Sequence, residues 1–261
     1  MSVDGPRAPA RAGRWLDPVR EALDGAPGPV TWFFRDDDAG WADERQLAMA
    51  DAFEQRGVLV DLAAIPDAVG APLGRELAAR ARRGALAVHQ HGARHANHEP
   101  TGRKCEFGTA RTPTDQLADI AWGQRRLRDS VGDVLQPIFT PPWNRCTAET
   151  GAALVACGIA VLSRDRTALK LHVAGLRELP IDVDWFATRK GRPLGRAAVV
   201  AQIAERVRQG GPVGVMLHHA VTGDDELAAV AELVGLVASH PRARSSSIAA
   251  VAGLSEDWSS D

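Results

Sequence analysis

No tyrosine occurs in the 261 residues, aromatic side chains reach only 5%, and there are three cysteines. The missing tyrosine accompanies heavy Ala and Arg usage; it reads as base-composition bias and carries no functional weight. Cys105, Cys146 and Cys157 are odd in number and far apart, which argues against a disulfide framework and suits a reducing compartment. No apolar run approaches the length of a membrane span. The opening MSVDGPRAPARAGRW lacks the apolar core of a secretory signal, so a cytoplasmic protein with no membrane partner is expected. Charge of one sign is lacking too: 31 Lys and Arg face 33 Asp and Glu, for a net charge of −2. Without a basic face, a nucleic-acid partner is not expected. No internal repeat or dividing linker stands out, and nothing in the sequence reports an oligomeric state.

Hydrophobic residues make up 45% of the chain, enough for one large core. Residues 1–28 read as a flexible N-terminal segment leading into a first helix, 29–255 as a single domain, and 256–261 as a flexible tail. Strand-like runs fall at 30–35, 58–65, 85–89, 134–140, 159–162, 178–183 and 213–218. Helical spacing fits 43–56, 73–83, 112–131, 148–157, 195–209 and 224–238. Thr112 is a plausible N-cap with Pro113 at the first helical position. Strands joined by helices predict a parallel sheet covered on both faces, either a closed or nearly closed β/α barrel or a doubly wound open sheet. Both folds place their sites at the C-terminal ends of the strands.

Polar residues gather at those ends. The first strand leads into Arg35-Asp36-Asp37-Asp38, the third into His89-Gln90-His91-Gly92-Ala93-Arg94-His95, the fourth into Pro141-Pro142-Trp143-Asn144-Arg145, the sixth into Asp182-Val183-Asp184-Trp185, and the seventh into His218-His219. Six of the eight histidines lie at two strand ends; scattered surface histidines would not. Imidazole and carboxylate are zinc ligands, and a catalytic zinc keeps a position for water. One helical turn after the third strand would bring His91 and His95 to one side. A further carboxylate could take a proton, and a histidine from another strand could return one. Singly, each cluster has a plainer reading as a solvated loop or a turn; their convergence favours a site. The long loop 90–111 adds Asn97, Lys104, Glu106 and Arg111 as candidate substrate contacts.

The ordered set resembles the polysaccharide deacetylase family, the NodB-like carbohydrate esterases. The counterparts of its motifs are Asp37-Asp38, His91 to His95, Thr140-Pro141-Pro142-Trp143, Asp182 to Trp185, and Met216-Leu217-His218, spanning residues 30 to 220. The resemblance implies a distorted (β/α)7-type barrel of parallel strands. It also implies hydrolysis of an N-acetyl or related acyl group, on a carbohydrate or small amide, by water activated at a divalent metal: zinc, or else cobalt or manganese. It assigns Asp38, His91 and His95 as ligands, Asp37 as base and His218 as acid, with Asp182 or Asp184 orienting His218. Trp143, Asn144, Arg145, Trp185 and His219 beside these motifs are expected to line the substrate. The sequence departs from the family pattern in three places. Three aspartates leave the register open to Asp36-Asp37. Thr140 stands where the family has arginine, whose charge Arg145 or Arg35 could replace. Met216 replaces a leucine before two candidate histidines, of which His218 directly ends the strand. Two rivals stand beside this reading. His89-Gln90-His91 is an H-x-H resembling that of two-metal amidohydrolase barrels, and the barrel could bind carbohydrate or metal without turnover.

Overall fold

The computed structural model describes residues 13–189 and 191–254, so the expected flexible ends, 1–12 and 256–261, lie outside the described residues. A first helix, α1 (Asp17–Asp24), leads to β1 (Val30–Ala39) and α2 (Asp43–Glu54). Then come β2 (Val60–Ala64), α3 (Ala71–Arg82), β3 (Leu86–His91), α4 (Pro113–Val131), β4 (Leu135–Thr140) and α5 (Ala148–Ala156). β5 (Val161–Asp165), β6 (Arg177–Ile181) and β7 (Val183–Asp184) follow with no helix between them, and a small antiparallel hairpin, β8 (Thr188–Arg189) and β9 (Arg192–Pro193), precedes α6 (Arg196–Gln209). The chain closes with β10 (Val213–Leu217), α7 (Asp224–Ser239), β11 (Ala243–Ser245) and α8 (Ile248–Val251). Thr112 does cap α4, its hydroxyl accepting from the Asp115 N–H. No helix among the described residues is long and apolar enough to cross a membrane.

The main sheet runs β6-β5-β4-β3-β2-β1-β10-β7, and β11 joins β1 from outside this path. Its pairings are parallel. β6 and β7 stand at opposite ends of that order yet adjoin in sequence. The chain crosses the gap at Asp182, whose N–H donates to Gly214 O on β10 at 2.9 Å, and Val183 then pairs with Val215. The sheet therefore curls into a nearly closed α/β barrel in a single domain.

Alternation along the strands divides the core. Trp32, Phe34, Leu62, Val213, Val215 and Leu217 face outward and pack under the helices. Phe33, Ile138, Val161, Ile181 and Met216 face inward and form an apolar floor, completed by Ile248 from α8. Gly214 is needed here, because a Cβ would run into the Phe33 ring. Above this floor, toward the strands' C-terminal ends, the interior turns polar.

Candidate functional site

β1 does not stop before the aspartates. It runs through all three to Ala39, with a register break between Asp36 and Ala39 and a left-handed Asp38 (φ 71°). Such a bulge re-aims side chains. Strict alternation would put Asp36 and Asp38 on one face; instead Asp37 and Asp38 both reach the barrel mouth, and Asp36 turns to the β10 side. Asp36 Oδ1 accepts from the His219 N–H at 2.9 Å, and Oδ2 lies 2.8 Å from His219 Nδ1. His219 Nε2 lies 2.7 Å from Trp41 O. Both ring nitrogens thus face acceptors, which requires the imidazolium. Burial opposes that charge, but Asp36 outweighs it and raises the pKa of His219. His219 is fully buried and locks two strand ends together, so it does not line the substrate as its position in the sequence suggests.

Asp38 Oδ1 sits 3.2 Å from both His91 Nε2 and His95 Nε2. One ligand atom from each residue falls within 4.8 Å of the others. His91 Nδ1 lies 3.0 Å from Thr140 O. Its Nε2 faces Asp38, so without a cation both nitrogens meet acceptors. Although burial opposes the charge, Asp38 and Asp37 raise the His91 pKa. A metal at Nε2 would take that proton's place while Nδ1 still donates to Thr140 O. Asp38 Oδ1 is buried with no hydrogen-bond partner, which suits the same metal. The His95 pKa is pushed down to about 4, first by burial and then by His91, so its imidazole is neutral near pH 7. The donor set fits a divalent metal. Among the described residues this is the one group of three that qualifies. His89 does not join it, because its Nε2 pairs with Thr140 Oγ1 at 2.9 Å, and burial, then Arg35, holds its pKa near 3. The H-x-H therefore does not form a second metal position.

No helical turn brings His95 to its place. Residues 92–96 form an irregular loop with His95 itself left-handed (φ 55°). Buried Glu106 holds that loop, its carboxylate accepting from the N–H groups of Ala93 at 3.2 Å, Arg94 at 2.8 Å and Ala96 at 3.4 Å. Gly92 (φ 59°) leaves the room, since a Cβ there would collide with Glu106 and Pro142. Glu106 therefore holds the loop that presents His95. The His95 ring packs between Trp41 and Trp143, with centroids 4.7 and 4.5 Å away.

Asp37 is held by an arginine from its own strand. Arg35 Nε and Nη2 meet the two carboxylate oxygens at 2.7 and 2.9 Å. Arg35 is fully buried, and it also donates to Ser163 Oγ at 2.9 Å, Ser163 O at 3.1 Å and Asn144 Oδ1 at 2.9 Å. Burial alone would raise the pKa of Asp37; the guanidinium charge reverses this and brings it to about 2. The Thr140 hydroxyl is engaged by His89, and the cation beside Asp37 comes from β1. His218 Nε2 stands 3.9 Å from Asp37 Oδ2 and is partly exposed.

Other expected contacts fall elsewhere. Asp182 faces Arg166 and Arg206, and its Oδ2 accepts from the Gly214 N–H at 2.8 Å. It closes the barrel seam and does not orient His218. Asp184 is the aspartate that shares the mouth with His218; burial, with Asp37 and Asp165 nearby, raises its pKa. Neither aspartate bonds the His218 ring, whose Nδ1 has no partner among the described residues. Trp185 points outward because Asp184 points in. It is buried beneath α7, donates to Glu226 at 2.8 Å and meets Trp15 edge-on, so it is a core residue and not a substrate contact. Phe186, 6.4 Å from the His218 ring, takes the aromatic position at the mouth. Asn144 is spent on Arg35. Arg145 points away from Asp37 and donates to Lys104 O at 2.7 Å. Trp41, Ser163 and Phe186 carried no sequence signal. Arg35 did, two residues before Asp37 and thus on the same strand face.

No family model matches the sequence, and no curated protein matches it either. Solved structures do match in fold. A Mycobacterium smegmatis protein assigned as a polysaccharide deacetylase aligns with a TM-score of 0.66 at 15% identity, over 87% of this chain and 90% of its own. A family 4 carbohydrate esterase domain of a xylanase from the Trinervitermes trinervoides hindgut metagenome aligns at 0.57 and 11% identity, over 85% and 89%. A family 4 pseudoenzyme from Bacillus anthracis aligns at 0.58 and 12% identity, over 87% and 66%. The chain has the polysaccharide deacetylase fold. Because that fold also carries a pseudoenzyme, activity has to be argued from the site.

Proposed function

We propose that the protein is a metal-dependent hydrolase that removes an N-acetyl or related acyl group from a carbohydrate or other small amide. One observation carries this reading: the Asp38–His91–His95 triad opens onto the same barrel mouth as the Arg35-held Asp37 and His218. A divalent cation bound there, zinc by its donor set, supplies Lewis acidity toward water and the acyl carbonyl. The chain's own groups handle the protons. Asp37, kept ionised by Arg35, accepts the proton of the attacking water. His218 donates a proton to the departing nitrogen as the C–N bond breaks, leaving a carboxylate and an amine. Arg35 is a positioning residue, since a bidentate guanidinium fixes the carboxylate plane as well as its charge. The Asp36–His219 pair ties the end of β1 to the turn after β10 and so sets the Asp37 to His218 spacing. Three free cysteines fit a reducing, cytoplasmic setting.

The test joins metal analysis to turnover. The purified protein is expected to hold about one zinc, cobalt or manganese ion per chain and to release acetate from members of a panel of N-acetylated sugars and small amides. Asp38→Asn and His91→Ala are each expected to weaken metal binding by more than about a hundredfold. Unchanged metal content in both variants would sink the proposed site. Full metal loading with no release from any acyl compound would favour a binding protein.

A further inference from the structure

The barrel mouth is uneven in charge. On the Trp143 side lie three cations, Arg103, Lys104 and Arg145. The Lys104 ammonium stands 5.8 Å from the centre of the Trp143 ring, whose centroid is 4.5 Å from that of His95. Arg145 is tied to the same loop through Lys104 O at 2.7 Å. Burial, then the charge of Arg103, pushes the Arg145 pKa below its ordinary range, so the two guanidinium groups sit close enough to repel.

Neighbouring cations are neutralised and these three are not. Arg94 and Arg111 both pair with Asp119. The two acids of the loop are occupied by backbone: Glu106 by residues 93–96, and Glu99 by the Ala110 N–H. Among the described residues, Arg103, Lys104 and Arg145 form no ion pair. A set of like charges held together without a counter-ion is relieved by an anion. Arginine is suited to carboxylate and phosphate.

We infer that the acyl substrate carries an anionic group, a phosphate or carboxylate, which Arg103, Lys104 and Arg145 bind on the Trp143 side while the acyl group lies at Asp38, His91 and His95. This rests on the hydrolase reading for the acyl end only. The substrate class becomes an acidic N-acyl sugar or sugar conjugate rather than a neutral glycan.

The experiment measures calorimetric binding of N-acetylglucosamine, its 6-phosphate and its 6-carboxylate counterpart to the full metal-loaded chain at low and high salt. At least about tenfold tighter binding of one or both anionic sugars is expected, shrinking as salt rises. The phosphate and carboxylate arms decide between the two groups. The triple variant Arg103→Gln, Lys104→Gln, Arg145→Gln should lose the preference; Lys104→Glu, a single exposed change, should reduce it alone. Equal binding of neutral and anionic sugars, failure of all three to bind, or a preference that survives the triple variant would overturn the inference. Acetate release, followed in parallel, keeps the two readings apart. Release without anion preference defeats this inference alone, whereas anion-selective binding without release from any acyl compound defeats the hydrolase reading alone.

Discussion

One barrel encloses two unlike interiors. The floor is apolar: Phe33, Ile138, Val161, Ile181 and Met216 meet Ile248 with little need of specific partners. Nearer the C-terminal ends of the strands, Arg35, Asp37, His89 and Thr140 are as deeply buried and every one has a polar partner. Apolar burial needs only volume and shape, so many sequences can satisfy the floor. A buried charge needs its particular counter-charge, so the upper layer tolerates little. The two layers should fail differently when cut, the floor in stability and the upper layer in stability and chemistry together.

Arg35→Met should have the largest effect, because it strands the buried Asp37 carboxylate. A loss of roughly 3–5 kcal/mol in denaturant unfolding is expected, along with loss of turnover. Arg35→Lys should recover part of the stability and little of the turnover, having the charge without the fork. Equal turnover in both would break the claim that Arg35 positions Asp37.

Asp61 lies at the boundary and tests where the floor begins. Burial raises its pKa to about 7, although the Ile248 N–H and Arg35 hold it partly down. The folded state therefore binds this proton more tightly than the unfolded chain does. From this group, stability is greatest below about pH 4 and declines as pH rises toward 7, by up to about 1.4 kcal/mol per unit. Asp61→Asn keeps an acceptor for Ile248 and should flatten that slope. A wild-type stability profile unchanged by the substitution would place Asp61 in the paired upper layer instead.

Ile138→Ala, wholly in the floor, should cost about 2–4 kcal/mol through its cavity and leave metal affinity unchanged by equilibrium dialysis. A parallel fall in metal affinity would show the two layers to be coupled. Glu106→Gln should be the mildest, about 1–2 kcal/mol from the weakened loop clamp. It should speed hydrogen exchange at residues 93–96 and loosen metal binding about tenfold. Faster exchange with unchanged affinity would remove Glu106 from the support of His95.

Much of the fold was legible beforehand. The alternation of strand and helix up to β5, the Thr112 cap and a parallel sheet all follow from local pattern, and the barrel from the family resemblance. Less visible were β7, the β8–β9 hairpin, β11 and α8, elements too short to show a period. The candidate site was legible as a set of residue types at strand ends, because His91, His95, Asp37, Asp38 and His218 do converge. Which way each points was not. His218 and His219 are adjacent and chemically identical, yet one faces the mouth and the other is buried against Asp36. Trp185 and Asp184 part in the same way.

Periodicity and composition alone determined a parallel α/β sheet, the end at which to look and the donor types available for a metal, while the barrel itself followed from the family resemblance. Tertiary structure decided the rest. The bulge at Asp38 overrode strand alternation, Glu106 replaced a helical turn in presenting His95, and Arg35 reached Asp37 from its own strand. The bulge is a single backbone inversion and the Glu106 clamp a loop contact, neither of which leaves a trace in local pattern; only the Arg35–Asp37 pair, two residues apart on one strand face, did.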